Sequence, residues 1–146
     1  MVLRRRILIE IPEKDLIREL GWFRDGMGEN AVRTYLLKNP YTIETGLKLE
    51  NFVGLSVWFT SYDEEGSVKD SKEADMFFRR NGTYYIVETK QKGKYYRGWQ
   101  YVRLTIECFE ADMKKHNQEV PEVVAVLATS SETVQSLNSQ PFDWFE

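Results

Sequence analysis

The sequence predicts an α/β domain, a mixed β-sheet flanked by helices. Three observations carry that expectation. Asn81-Gly82 sits between two runs rich in β-branched and aromatic residues, a strong hairpin signal because both central positions of a type I′ turn need positive φ. Tyr95, Trp99, Val102, Ile106, Phe109 and Met113 recur at alternating four- and three-residue steps, the apolar stripe of a long helix. Residues 123–129 (VVAVLAT) form a continuous apolar run, as suits a buried strand reached by a crossover and covered on both faces.

Taken in order, residues 7–11 alternate weakly and Pro12 ends any strand there. Pro12 is well placed to open a short helix with Leu16, Ile17 and Leu20 on its apolar side and Gly21 as its stop. Residues 22–28 read as a glycine-punctuated loop carrying Trp22 and Phe23. A second helix is expected over 29–37, with Val32, Tyr35 and Leu36 on one side and Asn39-Pro40 at its end. Glu29 lies in its first turn, where a carboxylate complements the helix dipole. Residues 47–62 read as one long or bent strand with an irregularity at Gly54, and the polar residues 63–72 as an exposed connection. The hairpin strands follow at about 74–80 and 83–90. The long helix starts at Tyr95 and reaches a polar end at 112–117, and Pro121 bars its continuation. After the buried strand, Ser130-Ser131-Glu132 is expected to cap a last helix through Leu137. The aromatic tail at 141–146 (PFDWFE) then packs on the domain or on a second subunit, as in a homodimer.

A chain of 146 residues fits one domain with a real core. One cysteine excludes an internal disulfide. The apolar run after Arg4-Arg5-Arg6 is too short for a signal peptide, and no stretch approaches the roughly 20 apolar residues of a membrane span. A cytoplasmic protein without a membrane partner is the expectation. A net charge of −3 argues against a broad nonspecific nucleic-acid surface but not against a local basic patch.

Several mechanisms lack parts. The one histidine, His116, lies in a polar helix end, and Cys108 falls in the long helix as a small core residue. Neither a Ser-His-Asp machine nor a structural zinc site can be assembled. A carboxylate cluster remains. With Asn81-Gly82 as the loop, Arg80 faces Thr83, Phe78 faces Tyr85, and Asp75 faces Glu88, with Lys90 two residues beyond on the same side. Opposed carboxylates supply hard oxygen ligands suited to Mg2+ or Mn2+, and Lys90 can orient a water or neutralise developing charge. Lys92, Lys94 and Arg97 can hold phosphates, while Tyr95, Tyr96 or Trp99 can stack on bases. The plain alternative is a solvated hairpin face with a surface pair between Glu73 and Lys90. Phe77 and Ile86 on the same face as Asp75 and Glu88 favour a partly covered cleft.

These residues resemble the motif of the PD-(D/E)XK nuclease superfamily. Asp75 in Glu73-Ala74-Asp75 matches its first acid and Glu88-Thr89-Lys90 its acid-x-lysine, with Ala74 in place of the proline. The resemblance extends over about 28–129 in the order helix, three strands, helix, strand. It is nearest in layout to archaeal Holliday-junction resolvases and Mrr-type endonucleases. It implies a restriction-endonuclease-like core (αβββαβ), with residues 1–27 as an N-terminal extension and 130–146 as a C-terminal helix and tail. It also implies Asp75, Glu88 and the Thr89 carbonyl as Mg2+ or Mn2+ ligands, Glu29 as a third acid, and Lys90 assisting the attacking water. Gln100 matches a glutamine that some subfamilies carry near the site. DNA is the implied substrate, RNA a further candidate, and the acidic net charge departs from a junction-binding dimer. A non-catalytic nucleic-acid-binding or assembly module on the same fold is the alternative reading.

Overall fold

The computed structural model describes residues 3–21, 28–90, 93–120 and 122–131. The loop aromatics Trp22 and Phe23, Lys92, the helix expected after Ser131 and the aromatic tail lie outside the described residues. The elements are β1 (Leu3–Pro12), α1 (Glu13–Leu20), α2 (Gly28–Lys38), β2 (Phe52–Tyr62), β3 (Val68–Arg80), β4 (Thr83–Lys90), α3 (Tyr95–Lys115) and β5 (Glu122–Ser131), with short 3-10 turns at Pro40–Thr42 and Leu49–Asn51. From α2 onward the order is αβββαβ.

The five strands form one mixed sheet in the order β1-β5-β4-β3-β2. β2, β3 and β4 pair antiparallel, whereas β4, β5 and β1 run parallel. Helices cover both faces, so the central strands have no solvent side, and every residue of β4 from Tyr84 to Thr89 is buried. Leu16, Val32 and Leu36 of α1 and α2 pack on Met76, Phe78, Val87, Val124 and Val126. The α3 stripe of Trp99, Val102, Ile106 and Phe109 packs on Phe77, Ile86, Ala125 and Leu127 from the other side.

The expected hairpin forms. Asn81 and Gly82 have φ of 51° and 81°, and Arg80 pairs with Thr83 and Phe78 with Tyr85. Pro12 precedes α1 and Gly21 closes it in the left-handed conformation. The β2–β3 register shifts between Phe52 and Gly54, where the irregularity is expected.

Three expectations need correction. Residues 3–12 are a full strand, pairing in parallel with all of β5. The alternation looks weak because β1 also feeds both cores: Ile9 and Ile11 are buried on the α1/α2 side, and Leu8 packs on the α3 side. Val68–Lys72 is not a connection but the start of β3, opposite Phe59–Tyr62. That arm is largely exposed, so its polar composition resembles a loop. β5 runs on through Ser130 and Ser131, buried opposite Ile11 and Pro12, two residues past the expected end of the strand.

Gly98 sets how closely α3 approaches the sheet. A Cβ on it would lie 2.5 Å from Leu127 Cδ1 and 3.1 Å from Lys90 Cγ. Leu127 is fully buried and cannot swing away. Gly98→Ala gains about 1 kcal/mol of helix propensity but overpacks the contact by about 1–3 kcal/mol. Urea denaturation is therefore expected to show net destabilisation of about 1 kcal/mol, and unchanged or raised stability would contradict this close approach.

Candidate metal centre

The site forms where the β3–β4 ladder ends. Its last cross-strand pair is Met76 with Val87. The next inward amide, that of Thr89, is fully buried and needs an acceptor. Asp75 supplies it from its side chain: Oδ2 accepts the Thr89 N–H at 2.9 Å and the Thr89 hydroxyl at 2.8 Å. A carboxylate thus replaces the β3 backbone, and the strands part around it.

β3 is irregular at this point. Ala74 and Phe77, three residues apart, both join the α3-side core, while Met76 joins the opposite one. Strict alternation is therefore broken across Asp75-Met76. On the neighbouring strand Ser56, flanked by Leu55 opposite Met76 and Val57 opposite Ala74, has φ of 53°. A left-handed serine in a strand costs free energy and coincides with the turn of Asp75 toward β4. The shared face expected for Asp75, Phe77, Ile86 and Glu88 thus holds for Phe77, Ile86 and Glu88, with Asp75 rotated into the gap.

Glu88 is 4% exposed. Burial, then its hydrogen bond with Asp75 and that residue's charge, push its carboxyl up to about 10; Lys90 opposes the shift and the Glu29 charge adds a little. Burial and the neighbouring Asp75 thus favour the protonated form of Glu88. Lys90 Nζ stands 3.9 Å from Glu88 Oε2 and 5.5 Å from the centre of the Tyr101 ring. The pair fits a hard divalent cation chemically, because two oxygen donors already converge where an ion would displace the proton.

Glu29 is half-buried in the first turn of α2, within electrostatic reach of Glu88. It does not complete a triad: among the described residues no three or more His, Cys, Asp or Glu side chains group to hold a metal ion. Lys94, Arg97 and Gln100 are exposed at the start of α3, and Tyr96 beside them is 52% exposed. Lys90 and this turn lie at the carboxyl end of β4, where β5 runs alongside in parallel and ligands of α/β sheets commonly bind.

Two contributors are not evident from the motif. The Thr89 hydroxyl orients Asp75. Tyr101 lies off the apolar stripe of α3, and the Glu73 N–H donates to its hydroxyl at 3.4 Å. Burial and the charges of Glu88, Glu73 and Asp75 push its phenol up, against the Glu73 hydrogen bond.

The chain matches no protein-family model, no curated protein and no solved structure. No helix among the described residues is long and apolar enough to cross a membrane.

The raised Glu88 carboxyl makes stability depend on pH. Unfolded, it titrates near 4.5; folded, near 10. The folded state holds the extra proton between these values, so this contribution is complete below the lower value and is lost as pH rises toward the upper one. Glu88→Gln keeps a neutral hydrogen-bonding group and removes the loss. In EDTA its melting temperature is expected to lie close to wild type near pH 5 and to exceed it by a margin that widens up to about pH 8. A variant less stable at both values would contradict the protonated pair.

Proposed function

We propose that the chain is a metal-dependent nuclease of the PD-(D/E)XK type, a DNA endonuclease acting from the Asp75–Glu88–Lys90 site. The observation that carries this reading is the Asp75 carboxylate held by Thr89 against Glu88, with Lys90 beside both, at the fork of the hairpin. The αβββαβ order around it is the order that the resemblance implies.

Asp75, Glu88 and the Thr89 carbonyl would hold Mg2+ or Mn2+. When bound, the ion supplies charge stabilisation at the scissile phosphate. Thr89 keeps Asp75 in one orientation, so the ligand geometry is set before substrate arrives. Lys90, partly buried, donates a hydrogen bond to the attacking water or to a phosphate oxygen that gains charge. Its aromatic neighbour limits water around the ammonium and strengthens that interaction. Lys94 and Arg97 lie on the exposed first turn of α3, suited to backbone phosphates rather than to reading bases. Glu29 is in position to shape the field at Glu88.

A non-catalytic nucleic-acid-binding module is the second reading. The absence of a three-acid group among the described residues favours it.

Cleavage of plasmid, single-stranded, flapped and four-way DNA with Mg2+ or Mn2+ separates the two. Asp75→Ala is expected to remove metal-dependent cleavage, and Lys90→Ala to lower the rate by about a hundredfold while both variants remain folded. Equal cleavage by wild type and Asp75→Ala would overturn the assignment. DNA binding that survives Asp75→Ala, with no turnover by wild type, would support the second reading.

A further inference from the structure

Lys72 and Lys90 belong to different parts of β3 and β4, yet both ammonium groups lie over one ring. Lys72 Nζ is 5.9 Å and Lys90 Nζ 5.5 Å from the centre of Tyr101. Both side chains are largely withdrawn from water, at 26% and 28% exposure. At such partial exposure a lysine lays its stem along the fold and leaves its charged head able to reach a partner. Here the partners are loose: Asp70 stands 3.7 Å from Lys72, with nearly half of its own side chain exposed, and Glu88 stands 3.9 Å from Lys90. Neither distance is that of a short, charge-assisted hydrogen bond.

The placement of Lys72 follows from the sheet. It pairs with Phe59 in the β2–β3 register, and Phe59 belongs to the core under α3. Its stem therefore runs along the α3 side of the arm, and its charge emerges at Tyr101, on the flank of the carboxylate site. Two cations held near one ring repel each other, and the ring offsets only part of that cost. A ligand carrying two negative groups a short distance apart would relieve it.

We propose that Lys72 is a second phosphate-binding residue, engaging a phosphate next to the one at Lys90 on the same nucleic-acid strand. This rests on the nuclease reading of the site and specifies how its substrate is held. A single strand presents a charge about every 3.4 Å of helix rise, so neighbouring phosphates can meet two cations that share one aromatic platform. Tyr101 is then a positioning residue, acting through the two lysines. The arm carrying Lys72 gives the site a direction along the strand.

The test is a binding cycle with a short DNA strand, in Ca2+ so that turnover does not intervene. Each phosphate flanking the cut is replaced in turn by a neutral methylphosphonate. Lys72→Met keeps the packed stem and removes only the charge; Lys72→Arg restores it. Wild type is expected to lose about tenfold in affinity at one flanking position. Lys72→Met should lose the same tenfold on native DNA and nothing more at that position, and Lys72→Arg should behave as wild type. Tyr101→Phe should retain wild-type affinity, whereas Tyr101→Leu should not. Additive losses at every position, or Lys72→Met binding native DNA as wild type does, would overturn the inference alone. Absence of cleavage by wild type would overturn the nuclease reading while the binding cycle still reads Lys72. Absence of any DNA binding would overturn both.

Discussion

A buried amide cannot go without an acceptor, and at Thr89 that requirement shapes the candidate site. β4 is buried along almost its whole length, so its N–H groups find partners in the sheet or not at all. Beyond the pairing of Met76 with Val87 the ladder stops, and the Asp75 carboxylate takes its place. A second bond from the Thr89 hydroxyl to the same oxygen removes its remaining freedom. One structural need thereby yields a carboxylate with a set orientation, a parting of two strands, and a polar gap lined from both sides.

The chemistry follows from what else reaches that gap. Glu88 is buried beside Asp75, and burial together with that neighbour favours its protonated form over a second uncompensated charge. Gly98 lets the first turn of α3 close onto Leu127 and Lys90, which brings Tyr101 beside the lysine. The core and the site are thus built by the same contacts: the helix that covers Ile86 and Leu127 also limits the water around Lys90. Such coupling holds the acids and the lysine in a set relation, as the proposed phosphodiester chemistry would require.

Much of this was legible in the residues. Asn81-Gly82 specifies a turn that few other pairs can adopt, and the turn alone sets the register that brings Asp75 toward Glu88. The α3 stripe and the apolar run of β5 announce a helix and a strand buried on both faces. What escaped has physical reasons. β1 opens with three arginines and contributes to two cores, so it lacks the alternation of a half-buried strand. The beginning of β3 is exposed on an arm, where Lys69, Asp70 and Ser71 meet water as loop residues do. Strict alternation also placed Asp75 on the same face as Phe77, whereas the backbone departs from it next to the left-handed Ser56. Tyr101 was invisible to periodicity because it lies outside the stripe and acts through Lys90, a partner from a different element. Glu29 was placed at the correct helix end but outside any three-acid group among the described residues.

The central claim is that the hydrogen-bonded pair of Asp75 and Glu88 is a cation site held open by Thr89. A crystal soaked in Mn2+ and measured at the manganese absorption edge tests it most directly. The account predicts one anomalous peak between the two carboxyl groups, bound by both and by the Thr89 carbonyl, with the Asp75–Glu88 hydrogen bond broken and the Asp75–Thr89 bonds retained. Full Mn2+ exposure that leaves the two acids hydrogen-bonded to each other, with no peak between them, would contradict it.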